Sequence, residues 1–294
     1  MLKQAKKTWS FLSKHPFAKR HFRQALSNWL IWQFRSSIFK EPVILDFIEG
    51  AKFLARRRMA GITGSIYAGL HEFNDMGFLL HFLREGDHFV DVGANVGSYT
   101  ILASKVRKAF TTSFEPIPST FEWLKLNIAI NKIEDLVNIQ NKGCSSESNL
   151  LKFSKEEDTT NHVLVSSEKK AFIEVETVSL DLWLNAPPIL IKIDTEGFET
   201  EVLKGASATL QHENLLAIII ELNGSGNRYG YKEELIDETL QNHGFIPCEY
   251  DPLNRTLVKL KTFGNDNTIY IRNYDQVLER LTSAPPFELW GEKI

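Results

Sequence analysis

Short apolar runs of four or five residues alternate along the chain with longer stretches in which apolar residues recur every three or four positions. The first pattern is typical of strands buried on both faces, and the second of amphipathic helices. Together they predict an α/β fold with a mostly parallel sheet and helices on both faces. The predicted strands are 88–92, 111–115, 137–141, 189–193 and 216–220, and the predicted helices are 73–83, 98–106, 119–131, 199–210 and 232–242.

The pattern changes at two places. Residues 146–184 contain a polar loop and then an alternating strand at 171–178. Residues 245–250 and 268–272 are short strands around a turn-rich stretch, so they predict an antiparallel C-terminal hairpin at one edge of the sheet. With this hairpin, seven strands are expected in a Rossmann-like arrangement.

The 294 residues are 43% hydrophobic, which suffices for one sizeable core. We predict a basic, aromatic-rich helical N-terminal extension at 1–60, a catalytic domain at 61–275 and a C-terminal tail at 276–294. The net charge of −3 hides an asymmetry, because residues 1–40 contain nine Lys and Arg and no acid. That segment is therefore +9 and the remainder is −12.

Three interpretations of the basic segment stay open. It can pack as helices against the acidic domain or a second subunit, lie on an anionic membrane surface, or bind nucleic acid. We favour packing, with peripheral membrane contact through residues 1–40 second and no nucleic-acid partner. Two cysteines, Cys144 and Cys248, and the lack of a long apolar run or a signal-like N-terminus predict a cytoplasmic protein.

Residues 88–100 predict a loop that binds a nucleotide-like cofactor between the first strand and the next helix. Glycine at 93 and 97 lets the main chain turn sharply beside a ligand. A dinucleotide loop needs further glycines where Asn95 and Ser98 stand, so a pyrophosphate is disfavoured. S-adenosylmethionine has no phosphate and carries a positively charged sulfonium, which a nearby carboxylate such as that of Asp91 would stabilise. The candidate cofactor contacts of this loop are Asp91, Gly93, Asn95 and Gly97.

Acids follow several predicted strands, at the sheet edge where α/β proteins bind ligands. Glu115 closes the second strand, where its carboxylate can accept both hydroxyls of a ribose. Asp194 follows the 189–193 strand and is the candidate base for deprotonating an acceptor hydroxyl, because it is placed at this edge. It is also a candidate cofactor contact. Glu196 and Glu221 are further catalytic candidates, whereas Glu199 is equally well explained as a helix cap. Mg²⁺ at Asp194 and Glu221 is an open alternative that the spacing does not specify, and no metal ligand is assigned.

The chain resembles the FkbM family of S-adenosylmethionine-dependent methyltransferases over about residues 70–270. The resemblance is carried chiefly by Asp-Val-Gly-Ala-Asn-Val-Gly at 91–97, Phe-Glu-Pro at 114–116 and Ile-Lys-Ile-Asp-Thr-Glu-Gly-Phe-Glu at 191–199. It implies a class I methyltransferase fold and cofactor contacts from Asp91, Gly93 and Glu115. It also implies Glu72 as a cofactor neighbour, and Ser145 as the candidate near the adenine, where relatives carry an acid.

The function expected from these observations is transfer of a methyl group from S-adenosylmethionine to a hydroxyl of a sugar, a glycan, a glycolipid or a polyketide-like acceptor. A non-catalytic module that keeps the cofactor pocket is one alternative. A nicotinamide-dependent dehydrogenase is another, which Asn95 and Ser98 disfavour. The acceptor, the oligomeric state and the role of the basic segment are not specified by these motifs.

Overall fold

An eight-stranded sheet forms the centre of the protein in the computed structural model, which describes residues 2–38, 41–56, 59–155, 160–165, 168–264 and 266–294. Fifteen strands are found in these ranges. They are β1 Val43–Asp46, β2 Lys52–Ala55, β3 His88–Val92, β4 Phe110–Phe114, β5 Val137–Gln140, β6 Gly143–Cys144, β7 Asn149–Ser154, β8 Phe172–Val178, β9 Leu190–Ile193, β10 Ala217–Glu221, β11 Ile246–Asp251, β12 Thr256–Lys259, β13 Asn267–Ile271, β14 Glu288–Leu289 and β15 Glu292–Lys293.

Eleven α-helices accompany the strands in the described ranges, with a π-helical turn at Leu102–Val106 and a 3₁₀ turn at Ser225–Tyr229. They are α1 Leu2–Lys14, α2 Phe22–Ile38, α3 Ala60–Ala68, α4 Phe73–Phe82, α5 Ser98–Ile101, α6 Pro118–Asn131, α7 Leu180–Trp183, α8 Glu199–Lys204, α9 Ser207–Gln211, α10 Glu233–Asn242 and α11 Tyr274–Ser283.

The order of strands in the main sheet is β12-β11-β13-β10-β9-β3-β4-β5. Strands β5, β4, β3, β9 and β10 are parallel, and β13 lies antiparallel between β10 and β11. The predicted α/β fold and the antiparallel C-terminal pair are therefore confirmed. The sheet has one strand more than the seven expected, because β12 extends its edge by pairing with β11.

Two predicted helical segments differ from the structure. The helix expected at 199–210 is divided into α8 and α9 at Gly205, where a Cβ atom would lie 2.0 Å from the carbonyl oxygen of Ser145. The extension expected to be helical over 1–60 contains α1 and α2, but residues 43–55 form an antiparallel hairpin. This hairpin is held by Asn127 and Asn131 of α6, whose side-chain oxygens accept hydrogen bonds from the backbone of β2.

Both ends of the chain pack on the domain between them. The ring of Phe17 is fully buried and stacks on Phe73 of α4 at 5.4 Å. In the C-terminal part, Phe287 and Leu289 are buried, and the carbonyl of Ile294 lies 3.2 Å from the ring of His81. The basic segment therefore contacts the domain through Phe17, and its peripheral membrane contact stays a prediction. Among the described residues, no helix combines the length and the apolar character needed to cross a bilayer.

Candidate active site

A cleft of about 280 Å³ opens at the carboxyl ends of the parallel strands, where β3, β4, β9 and β10 end side by side. Each of these strands brings an acid to the cleft. The predicted site residues on its wall are Glu72, Asp91, Gly93, Asn95, Glu115, Asp194, Glu196 and Glu221. Two other predicted contacts, Gly97 and Ser145, are not on this wall.

The glycine loop crosses close to the neighbouring strand. Gly93 has a φ of 82°, and a Cβ atom there would lie 1.8 Å from the carbonyl oxygen of Asp194. Only glycine fits at this approach. Gly97 begins α5 with a φ of 97° and faces Leu124 of α6, so it shapes the turn rather than the cleft.

Asp91 lies on the floor of the cleft and is 1% exposed. Its Oδ2 accepts a 2.7 Å hydrogen bond from Thr100, whose hydroxyl lies 2.8 Å from that of Ser113. Burial raises the pKa of Asp91 to about 6, although Lys192 and Thr100 act in the opposite direction. The second carboxylate oxygen has no hydrogen bond to a described residue, so it is available to a ligand.

Glu115 is fixed at the mouth of the glycine loop by two backbone groups. Its Oε2 accepts from the N–H of Asn95 and its Oε1 from the N–H of Ile117, both at 2.9 Å. Because a carboxylate has about four acceptor sites, each oxygen can accept one further hydrogen bond. Burial raises the pKa of Glu115 to about 7 despite the two backbone donors.

A buried lysine that the motifs did not predict links the acids. Lys192, in the middle of β9, is 3% exposed, and its Nζ donates a 2.7 Å hydrogen bond to Oδ2 of Asp194. The ammonium also lies 4.8 Å from the ring centroid of Tyr99. Burial alone lowers the pKa of a lysine, but the carboxylates of Asp194, Glu72 and Asp91 outweigh it and raise the pKa of Lys192 above its usual value.

Glu72 enters the cleft from the residue before α4. Its Oε2 accepts a 2.6 Å hydrogen bond from the hydroxyl of Tyr99 and lies 3.6 Å from Nε2 of His71. Although burial opposes ionisation, His71 and Lys192 lower the pKa of Glu72 below its usual value. Burial in turn lowers the pKa of His71. The neighbouring cation Lys192 therefore favours the anionic form of Glu72, while burial disfavours the charged form of His71.

Asp194, Glu196 and Glu221 form a cluster in which one ligand atom from each lies within 4.8 Å of the others. Glu196 adopts a left-handed backbone conformation with a φ of 55°, which is unusual for a residue other than glycine. Burial and the neighbouring Asp194 raise the pKa of Glu196 to about 7 and that of Glu221 well above its usual range. Oε2 of Glu221 is buried and has no hydrogen-bond partner.

Glu199 has a structural role. Its Oε1 accepts hydrogen bonds from the N–H and the hydroxyl of Thr195 and from the N–H of Gly197, at 2.9 to 3.1 Å. These bonds close the turn that carries Glu196 and lies before α8. The N-cap residue of α8 is Phe198, and no side chain caps this helix, so Glu199 stabilises the turn rather than capping the helix. Ser145 donates its backbone N–H to Val178 in the small sheet of β6, β8 and β7, and its carbonyl packs on Gly205.

An apolar wall faces the acids and was also missed by the motifs. Ile117, Cys144, Phe153 and Val163 line the cleft beside Glu115. Phe153 belongs to β7, a strand that the sequence pattern did not predict, and Val163 pairs with it through an isolated bridge. Phe153, Val163 and Ile117 belong to one cluster of buried apolar residues. The cleft therefore has an apolar side and an acidic side.

Comparison with known proteins gives consistent matches. A family model described as the methyltransferase FkbM domain matches residues 91–247, just over half of the 294 residues. Hexuronic acid methyltransferase AglP from Haloferax volcanii is 33% identical over 150 residues, which cover 49% of this chain and 59% of that protein.

Solved structures that match this chain include methyltransferase FkbM from Methylobacillus flagellatus, with 16% identity, a TM-score of 0.46 and coverage of 71% of this chain and 52% of that chain. Precorrin-6y C5,15-methyltransferase from Geobacter metallireducens has 13% identity, a TM-score of 0.42 and coverage of 74% and 93%. The chain spans less than two thirds of the length of both AglP and the Methylobacillus protein. On the family match and the motifs at 91–97 and 191–199, the chain belongs to the FkbM methyltransferase family.

Proposed function

We propose that this protein is an O-methyltransferase that uses S-adenosylmethionine to methylate a hydroxyl group of a sugar-containing or polyketide-like acceptor. The proposal rests mainly on the carboxylate of Glu115, which is held in a fixed position beside the glycine loop. This loop carries the motif at 91–97 by which the chain resembles its methyltransferase family. Its oxygens are held by Asn95 and Ile117, and each keeps an acceptor site directed to no described residue. Two vicinal ribose hydroxyls match two such sites.

The remaining walls of the cleft suit the rest of the cofactor. Asp91 offers an unbonded carboxylate oxygen on the floor, and Glu72 is held as an anion nearby. Both charges favour a ligand with a sulfonium and an ammonium group. Ile117, Phe153 and Val163 offer an apolar surface for the adenine ring. When bound, S-adenosylmethionine supplies an electrophilic methyl group on a positively charged sulfur.

A nicotinamide dinucleotide fits this cleft poorly. Its pyrophosphate needs bare backbone amides, and in this loop the N–H of Asn95 is already taken by Glu115. The neighbouring N–H groups of Gly93 and Ala94 donate to the carbonyl of Phe114. The dehydrogenase alternative therefore has no anion site in the loop that would have to supply it.

The acceptor is proposed to be rich in hydroxyl groups. Carboxylates that are not paired with cations are satisfied by hydroxyl donors, and the orphaned Oε2 of Glu221 is one such acceptor. The name of AglP, hexuronic acid methyltransferase, supports a sugar acceptor for this chain. Nothing besides the acidic cluster points to Mg²⁺ among the described residues, so no metal is included in the proposal.

Methyl transfer to a hydroxyl requires a group that accepts its proton. Asp194 is the first candidate, because one of its oxygens binds Lys192 and the other has no hydrogen bond to a described residue. Glu196 is the second, because a pKa of about 7 matches a base that works near neutrality. Both lie on the same edge of the cleft, and transfer itself depends mainly on aligning the hydroxyl with the methyl group.

Calorimetric titration with S-adenosylhomocysteine tests the proposal, followed by a methylation assay on a panel of sugars and hydroxylated polyketides. We expect the wild-type protein to bind and Glu115→Ala to bind at least about tenfold more weakly, because two charge-assisted hydrogen bonds are lost. Exposed Glu122→Ala on α6 is the matched control and should bind normally. Equal binding by wild type and Glu115→Ala would overturn the assigned site. Binding without transfer to any acceptor of the panel would favour the non-catalytic module.

A further inference from the structure

The outward face of α2 carries an apolar stripe that the rest of the described chain does not cover. Leu30, Ile31, Phe34 and Ile38 are 54%, 52%, 68% and 54% exposed. Positions 30, 34 and 38 are four residues apart, so they lie along one side of the helix. From residue 30 to residue 38 the stripe extends about 12 Å along the helix axis. The opposite side of α2, which includes Trp32, is buried against the domain.

Cations surround the stripe. Arg23 lies seven residues before Leu30 and therefore on the same side of α2, and Arg35 lies four residues after Ile31 and therefore on the side of that residue. Residues 1–40 contain no acid. Among the Lys and Arg side chains that the structure describes in this segment, Arg20 has a carboxylate partner, Glu292, and the others have no ion pair to a described residue. These others are Lys6, Lys7, Lys14, Lys19, Arg23 and Arg35.

Apolar side chains next to unpaired cations are the combination with which peripheral helices bind lipid. We propose that α2 docks its stripe on an anionic membrane surface, with Phe34 and its apolar neighbours in the interface and the cations at the headgroups. A second copy of the chain fits less well, because a two-fold contact through this face would bring two acid-free basic segments together. A nucleic acid would pair with the cations but would leave the stripe exposed.

One short helix connects this surface to the cleft. Gln33 of α2 donates a 2.9 Å hydrogen bond to the hydroxyl of Tyr67 in α3. Near the other end of α3, Gly61 lines the cleft, and its carbonyl accepts a 3.1 Å hydrogen bond from Ser98 of α5. A protein docked through α2 would therefore have its cleft about one length of α3 away from the membrane surface. The docking itself does not depend on the proposed reaction, because it is measured without turnover.

Vesicle cosedimentation of the full chain tests the proposal. The vesicles are made of phosphatidylcholine alone or mixed with phosphatidylglycerol. We expect the wild-type protein to sediment with the anionic vesicles, less so in high salt, and Ile31→Ser/Phe34→Ser to bind at least about tenfold more weakly. Leu182→Ser is the matched control, because Leu182 is 82% exposed on α7 and lies outside the basic segment. It should bind like wild type.

Arg23→Gln/Arg35→Gln is a second variant, which should weaken binding to anionic vesicles while the stripe is intact. Unfolding midpoints and S-adenosylhomocysteine titrations show whether each variant is folded. No sedimentation of the wild type, or equal sedimentation of the wild type and the Ile31/Phe34 variant, would overturn the proposal. The proposal would also be overturned if light scattering showed that the wild type is a dimer and the Ile31/Phe34 variant a monomer. That result would identify a second copy of the chain as the occupant of the stripe. Binding of single-stranded RNA that this variant retains, without sedimentation of the wild type on anionic vesicles, would overturn the proposal in favour of a nucleic-acid partner.

Discussion

Lys192 and Asp194 form a 2.7 Å ion pair across the end of β9, with the lysine 3% exposed and the aspartate at the wall of the cleft. The two residues are separated by one position on an extended strand, so both point to the same face of the sheet. The pair places a fixed positive charge beneath the carboxylates of Asp91 and Glu72, and all four side chains belong to one electrostatic unit.

Replacing Lys192 with Met should destabilise the folded protein by about 3 kcal/mol, because it leaves buried carboxylates without their cation. Urea unfolding followed by circular dichroism measures the change. The matched control is Lys108→Met, which removes an exposed pair with Glu85 at 3.6 Å and should cost less than about 1 kcal/mol. Equal effects of the two substitutions would contradict the role assigned to Lys192.

Gly93→Ala should prevent the glycine loop from closing against β9, because the added Cβ would lie 1.8 Å from a backbone carbonyl at a φ of 82°. We expect a loss of stability of more than about 3 kcal/mol, or no folded protein. Gly50→Ala is the control, since Gly50 also has a positive φ of 77° but no atom within 4 Å of the added Cβ. It should lose only about 1 kcal/mol from backbone strain. A folded Gly93→Ala protein with wild-type stability would show that the loop can move away.

Site residues could be predicted from the sequence where local chain direction places them in the cleft, and could not be predicted where packing between distant segments does. Asp91, Gly93 and Glu115 were predictable because each follows or interrupts an apolar run at a strand end, where chain direction places it in the cleft. The role of Lys192 was not predictable. The local sequence Ile-Leu-Ile-Lys-Ile is the same whether the lysine side chain extends into solvent or contacts buried acids. Its role depends on Glu72, 120 positions away in sequence and brought close only by packing.

The apolar wall shows the same limit. Phe153 lies in β7, whose sequence alternates weakly and follows a polar loop, so its partner strand β8 determines its position. Ser145 was expected near the adenine from the spacing of the motif after β5. The structure places it off the wall of the cleft, with Cys144 and Gly143 lining the cleft instead. The cleft wall therefore ends one residue before the position that the motif spacing indicates.

The acidic cluster should make the folded protein less stable as pH rises from 7 to 9. A carboxyl group whose pKa is raised on folding binds its proton more tightly in the folded chain, so stability present at low pH is lost as pH rises through the folded value. Burial and neighbouring acids raise the pKa of Glu221 to about 9, whereas the pKa values of Glu196 and Glu115 are raised to about 7. The loss above pH 7 therefore comes mainly from Glu221, and the other two groups act mainly below pH 7. Urea midpoints at pH 7, 8 and 9 measure the slope.

Glu221→Gln should reduce that slope, because a neutral amide no longer titrates. Exposed Glu234→Gln on α10 is the control and should keep it. The window above pH 7 is chosen because burial lowers the pKa values of His15 and His81 to about 4, which removes stability only below their unfolded value near 6.5. A wild-type midpoint that is constant from pH 7 to 9 would contradict the raised pKa of Glu221.

Kinetics of two conservative variants should identify the group that accepts the proton of the acceptor hydroxyl. Removing a general base typically lowers the rate about 10²- to 10⁴-fold. We therefore expect kcat to fall by this factor in one of the two variants, Asp194→Asn or Glu196→Gln, namely the one that removes the base. It should keep its affinity for S-adenosylhomocysteine.

If Glu196 is the base, the wild-type rate should fall below pH 7 as its carboxylate becomes protonated, and Glu196→Gln should lose this limb of the profile. Glu201→Gln, on α8 outside the cleft wall, is the control and should keep the wild-type profile. Wild-type kcat in both variants would exclude this edge of the cleft as the source of the base.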